Sequence, residues 1–168
     1  DLILKGEKKH TILSVLTGVL LLAQIAVCFV SEPASAFAGL YVSTAAAQVM
    51  KVILTAGAFI VVVMAQSWIE RADVMRKEGE LIISTLLGMY MMISSGHFLM
   101  FFLGLEMASV PMACLVAFDK FKQNSAEGAA KFILTATFSS GVMLYGISFI
   151  YGACGTLYFD DVADKISA

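Results

Sequence analysis

HFLMFFLGLEMASVPMACLVAF, residues 97–118, carries one acidic side chain, Glu106, and no Lys or Arg in 22 residues. A soluble protein has little use for so continuous an apolar run, and a membrane span ordinarily excludes a carboxylate. The rest of the chain settles which solvent the run was built for. Of 168 residues, 60% are hydrophobic and 14% charged, and the mean hydropathy is +0.88. That composition lies outside the range of soluble domains and within that of integral membrane proteins.

A hydrocarbon core about 30 Å thick needs roughly 20 apolar residues per helix. Five runs meet or approach that length: 11–30, 48–69, 80–96, 97–118 and 128–153. As one helix, residues 81–118 would extend about 57 Å at 1.5 Å per residue, so the chain is expected to turn back at Ser94-Ser95-Gly96-His97. Outer-membrane strands alternate polar and apolar residues, whereas these runs are apolar on every face. The expected fold is an all-α integral membrane protein of five transmembrane helices, since helices satisfy their own backbone in lipid. The first run is no cleaved signal peptide, because no A-x-A-like site follows it and four further spans do.

The connecting segments are 1–10, 31–47, 70–79, 119–127 and 154–168, the last read as an acidic tail. Lys5, Lys8, Lys9, Arg71, Arg76, Lys77, Lys120 and Lys122 all fall on one side of the five-span model, and Lys165 alone on the other. The positive-inside rule then places the start in the cytoplasm and the end in the periplasm. An odd span count and a loop-like opening, DLILKGEKKH, imply that an upstream span is missing and that the chain is a fragment. Trp68, Tyr41, Tyr151 and Tyr158 fall where an aromatic belt is expected.

Three separated cysteines and two histidines offer no metal-ligand spacing and no CxxC pair. Phosphate-binding glycine loops, a nucleophile elbow and a basic nucleic-acid-binding stripe are missing too. Met89, Met91 and Met92 read as lipid-facing or gap-filling side chains rather than a metal relay.

The remaining chemistry resides in polar residues inside apolar runs. Glu106 is the tenth residue of its span, near the midplane, where an acid costs about 3 kcal/mol on insertion scales. Several Leu and Phe neighbours, each returning roughly 0.5 kcal/mol, let the span insert regardless. A proton or ion site is favoured over a purely packing glutamate, because Gly104, Ala108, Ser109 and Ala113 leave room for a close helix or for water. Pro111 removes a backbone hydrogen bond five residues on and can kink the helix there. Lys131 begins a polar stripe through Thr135, Ser139 and Val142 or Met143, with snorkelling to the surface as its competing role. Lys51, in the first turn of the second helix, is expected to snorkel rather than sit buried. His97 at the hairpin either relays protons or caps the turn. Ala136, Ser140, Gly141 and Gly146 are expected to let the fifth helix touch its neighbours.

FFLGLEMASVPMACLVAF (101–118), followed by SAEGAAKFILTATFSSGVMLYGISFIYGACGTL (125–157), resembles the antiporter-like membrane subunits of respiratory NADH:quinone oxidoreductase (complex I), with subunit N the nearest match. The pattern L-F-L-G-x-E-x-x-S-x-P, a basic loop and then E-A-x-x-K recurs there and in related Mrp-type cation/proton antiporters. A weaker likeness runs upstream through VMKVILTAGAFIVV and GELIISTLLGMYMMISSGHFLMFFLG. The resemblance implies that the five helices are the second to sixth of fourteen, in a bacterial inner membrane. It implies that Glu106 is a central ionisable switch coupled to lysines along the membrane centre, with Lys131 its nearest candidate partner.

It also implies proton translocation as the function, with other membrane subunits of the complex, the lipid bilayer and protons as partners. No cofactor is expected in this chain; NADH, FMN, iron-sulfur clusters and quinone belong to other subunits. Two charges 4 Å apart interact by about 4 kcal/mol at an effective dielectric near 20, roughly three pKa units, enough to switch a lysine's protonation. The competing readings are an Mrp antiporter or membrane hydrogenase subunit, a small proton-coupled exporter, and a passive scaffold.

Overall fold

The computed structural model describes residues 9–30, 33–69, 78–117 and 123–167. Most of the basic segments that set the expected orientation, at 1–8, 70–77 and 118–122, and the side chain of Trp68 lie outside the described residues. Helices dominate: α1 (Lys9–Val30), α2 (Ala45–Ile69), α3 (Glu78–Ile93), α4 (Phe98–Val116), α5 (Gln123–Cys154) and α6 (Phe159–Ser167). Among the described residues, three of them contain segments long and apolar enough to cross a membrane, Ala45–Met64, Phe98–Val116 and Asn124–Cys154. Val15–Cys28 and Leu81–Ile93 are shorter apolar segments of α1 and α3.

Helix and apolar run need not coincide, because a helix continues into water wherever nothing breaks it. Thus α5 starts at Gln123, ahead of the apolar run at 128, with neither Gly nor Pro before Gly128. Between α3 and α4 the backbone leaves helical geometry at Ser94–His97, where a serine pair, a glycine and a capping histidine meet.

Two short elements add to the all-helical expectation. Residues 31–47 contain an antiparallel hairpin, β1 (Ala34–Ala36) and β2 (Tyr41–Ser43), with Ser35 opposite Val42. Its tip bends through left-handed residues Phe37, Ala38 and Gly39. The acidic tail is the amphipathic α6, with Asp160 and Asp161 in its first turn and Lys165 in its last, each charge set against the opposite end of the helix dipole. Gly155, at φ +68°, ends α5 in the left-handed region that glycine tolerates. Lys165 Nζ donates to the Cys154 carbonyl at 2.6 Å, so α6 covers the end of α5.

Helices α1, α2 and α3 share a small apolar core of Leu21, Val62 and Leu86, with Leu54, Phe59 and Ile82 around it. The tightest junction is α3 against α4. A Cβ on Gly88 would lie 2.4 Å from the Ala108 nitrogen, and one on Gly104 would lie 2.6 Å from the Met92 nitrogen. Backbone touches backbone there, as small residues permit when lipid gives no hydrophobic drive for helix association. The glycines expected to play that part in α5 do not: Gly141 and Gly146 face open space. Many large apolar side chains, among them Met64, Leu134 and Phe138, stay exposed, as on a surface that meets lipid or further helices.

At the hairpin end, three layers hold the α3–α4 turn. Val42 N donates to the Ser94 carbonyl at 2.7 Å, Gly96 N to Leu40 at 2.9 Å, and Phe159 N to Gly96 at 3.1 Å. Gly96 is required there, since a Cβ would fall 2.2 Å from the Gly39 oxygen.

Candidate functional site

Glu106 is half-buried on the α4 face turned to α5. The Gly88–Gly104 contact sets that orientation: with Gly104 and Ala108 against α3, helical spacing turns Glu106, Ser109 and Ala113 toward the opposite neighbour. The small residues around the glutamate therefore divide their work, two fitting α4 to α3 and two leaving room beside α5. A cavity of about 30 Å³ results, lined by Glu106, Ser109, Val110 and Ala113 from α4 and by Phe132, Ile133, Ala136 and Thr137 from α5. One water needs roughly 10–15 Å³ on this measure and two or more polar partners. The carboxylate and the Ser109 and Thr137 hydroxyls meet both conditions. Ser109 Oγ also donates to the Glu106 carbonyl at 3.2 Å. Pro111 lies inside α4, which continues through it to Val116.

Lys131 is not brought to Glu106. Its Nζ pairs with Glu127 one turn back in α5, at 2.5 Å, with the two side chains 74% and 65% exposed. Thr135 donates to the Lys131 carbonyl at 2.9 Å, and both Thr135 and Ser139 are exposed. The polar stripe thus lies on a face of α5 different from the one on Glu106, because Phe132, Ile133 and Ala136 occupy the contact. Sequence spacing identifies which residues share a face, but not which face docks.

His97 is the N-cap of α4: its Nδ1 accepts from Leu99 N at 3.1 Å, and its ring meets Tyr158 edge-on at 4.7 Å. That is the capping role expected as one of two alternatives.

Lys51 departs furthest from expectation. Instead of snorkelling it is only 6% exposed, and its Nζ donates to the Tyr41 hydroxyl at 2.9 Å. The β hairpin folds back over the start of α2 and so shuts the ammonium away from the surface. Burial pushes the Tyr41 phenol up, but the Lys51 hydrogen bond, the nearby Ser94 hydroxyl and the lysine charge outweigh it and leave the phenol below its ordinary 10.0. Ser94 Oγ acts without meeting hydrogen-bond geometry, being buried and without a hydrogen-bond partner among the described residues. One turn further in, Thr55 donates to the Lys51 carbonyl at 2.6 Å and contacts the Tyr90 hydroxyl. The Tyr90–Thr55 contact gave no sequence signal, since it joins two different helices; Gly88 gave a faint one, as an uncompensated glycine within an apolar helix.

Residues 95–167 match the family model described as NADH:quinone oxidoreductase/Mrp antiporter, TM. The NADH-quinone oxidoreductase subunit N of Phocaeicola vulgatus is 54% identical over 165 residues, covering 96% of this chain and 35% of that protein. Subunit N of Azobacteroides pseudotrichonymphae is 46% identical over 134 residues, covering 78% and 28%. The chain therefore spans about a third of the length of these relatives. Among solved structures, a chain of respiratory complex I from Thermus thermophilus shares the fold with a TM-score of 0.77 at 24% identity, covering 89% of this chain and 33% of that one. A chain of an archaeal membrane-bound sulfane sulfur reductase does so with a TM-score of 0.67 at 21% identity, covering 96% and 35%. With its glutamate-bearing α4 and lysine-bearing α5 in one matched segment, the chain belongs to the antiporter-like membrane subunits of the NADH:quinone oxidoreductase/Mrp family, as a subunit-N-like member.

Proposed function

We propose that the protein acts as a proton-translocating membrane subunit of NADH:quinone oxidoreductase, with Glu106 as the group that takes up and releases the proton. The observation that supports this most directly is the water-sized cavity between α4 and α5 that Glu106 lines. A glutamate that only held two helices together would be matched by a donor across the interface. Here α5 offers one hydroxyl, that of Thr137, which makes no hydrogen bond to Glu106 among the described residues, and otherwise apolar side chains, so a water is the natural carrier to and from the acid.

Lys131, held by Glu127, is the second charge of the proposed pathway. Thr135 and Ser139, on the same exposed face of α5, would carry polar contacts onward to whatever packs there. Pro111 leaves the Met107 carbonyl, one turn before it and beside Glu106, without its helical donor, a further acceptor for water near the acid. His97 and Lys51 have no part in this path; the first caps α4 and the second lies by the β hairpin.

The chain itself carries no redox group in this reading. NADH, FMN, iron-sulfur clusters and quinone act in partner subunits, and the energy arrives through contacts within the membrane arm. The protein resides in the bacterial plasma membrane, its start toward the cytoplasm and its end toward the periplasm. An Mrp-type antiporter is the second reading, supported by the joint description of the family model; the subunit N names of the relatives favour the first.

The test is the ratio of protons pumped to electrons transferred by the assembled complex. Glu106→Gln is expected to lower that ratio while the complex still assembles. An unchanged ratio would sink the assignment, and loss of assembly alone would return Glu106 to a packing role. Infrared difference spectroscopy gives the chemical check: a carboxyl band that titrates in the wild type and vanishes in Glu106→Gln.

A further inference from the structure

A second polar site, independent of Glu106, lies at the hairpin end of the bundle. Lys51, 6% exposed, lines a cavity of about 300 Å³ between the end of α1, the β hairpin and the start of α2. Around it stand Gln24, Tyr41, Ser43 and Gln48, each with a group that can donate a hydrogen bond, and Tyr90, whose hydroxyl donates to Thr55. The described residues lining the cavity include no carboxylate. Burying an ammonium costs several kcal/mol unless an opposite charge or a full set of acceptors meets it, and among the described residues Tyr41 meets it with one hydrogen bond and its ring face. The start of α2, capped by Thr44 Oγ1 accepting from Ala47 N at 3.2 Å, adds the positive end of a helix dipole. The cavity is therefore electropositive, rich in donors and large enough for a small polar group.

Its place in the fold narrows the occupant. Tyr90 is three residues from the end of α3, and Lys51 is in the second turn of α2. Both lie where the apolar helices meet the hairpin, the depth at which lipid headgroups sit. Val27 at the cavity mouth and Val49, Met50 and Ile53 on α2 are exposed apolar side chains, a surface that acyl chains can follow. We propose that this cavity binds the phosphate of a membrane phospholipid, with Lys51 as its cationic anchor and the Tyr41 hydroxyl and the Gln24 amide as further donors. The lipid phosphate supplies the counter-charge, and the hairpin that buries Lys51 closes over the headgroup. Glu32, outside the described residues, is the one acid in the 31–47 segment and the competing counter-ion.

The experiment uses the full-length protein in its assembled membrane complex, washed with detergent and titrated with dioleoyl phosphatidylglycerol or with dioleoylglycerol, which lacks the phosphate. Bound lipid is read by native mass spectrometry. The wild type is expected to retain phosphatidylglycerol and not dioleoylglycerol. Lys51→Gln should weaken that binding about tenfold or more, the loss of one charge-assisted contact, and Lys51→Arg should keep it. If Lys51→Gln does not assemble, Gln24→Leu, which leaves the Lys51–Tyr41 bond intact, should weaken binding several-fold. Equal retention by wild type and variants overturns the proposal. So does equal binding of the two lipids. Binding of inorganic phosphate with no retained phospholipid overturns the lipid assignment and marks a free-anion site.

Discussion

Glu106 and Lys51 show how differently one charge fares at two places in the same membrane fold. The glutamate lies between two helices and keeps a water-sized space; the lysine is shut in by a hairpin that no local pattern foretells. The Lys51–Tyr41 bond makes a titration the direct probe. Because the folded protein holds the Tyr41 phenol below 10.0, the folded state binds that proton less tightly than the unfolded chain. The resulting stabilisation is complete above pH 10 and fades as the pH falls through the folded value. The phenolate absorbance difference between wild type and Tyr41→Phe should have its midpoint below 10, and Lys51→Gln should move it up; a midpoint unmoved by Lys51→Gln would rule out the coupling. His97 is the simpler case. His97→Ala removes the acceptor that caps α4 and should cost about 1 kcal/mol in unfolding free energy, and His97→Asn should recover most of it.

At the scale of elements, the α3–α4 junction decides where Glu106 points. Gly88→Ala puts a methyl into the Ala108 backbone, where the nearest atom is 2.4 Å away. Neither helix has a side chain there that could move aside, so the helices must part, at a cost toward the upper end of the 1–3 kcal/mol typical of overpacking. Gly141→Ala, facing open space on α5, should be neutral or stabilising by up to about 1 kcal/mol through helix propensity. Thermal unfolding of the two variants in the same detergent separates them, and equal midpoints would mean that α3 and α4 do not meet through Gly88. In sequence the two residues look alike, each a glycine inside an apolar run; only the partner surface makes one indispensable.

For the whole molecule, the exposed face of α5 is the feature that most needs the rest of the assembly. The Lys131–Glu127 pair is exposed and of i,i+4 type, so it contributes only about 0.3–0.5 kcal/mol to the fold. Lys131→Ala should therefore leave the unfolding midpoint nearly unchanged while lowering the pumping ratio of the assembled complex. A variant that loses stability and keeps its pumping ratio would place Lys131 among structural residues. Phe138 and Leu134, exposed on the same helix, are apolar surface with no partner among the described residues, as expected of a chain spanning about a third of its relatives' length.

The membrane class, the helical architecture and the family were legible in residues 97–157 and in composition, because a lipid solvent imposes apolar runs of fixed length and leaves a lone acid conspicuous. Glu106 stood out for the same reason. What only tertiary structure decided is which faces meet. Lys131 turns to Glu127 because Phe132, Ile133 and Ala136 take the contact with α4, and Lys51 is buried because the preceding β hairpin folds Tyr41 over it. A one-dimensional pattern records the spacing along each helix, whereas burial and partnership depend on rotations and loop paths fixed by contacts between residues far apart in the chain.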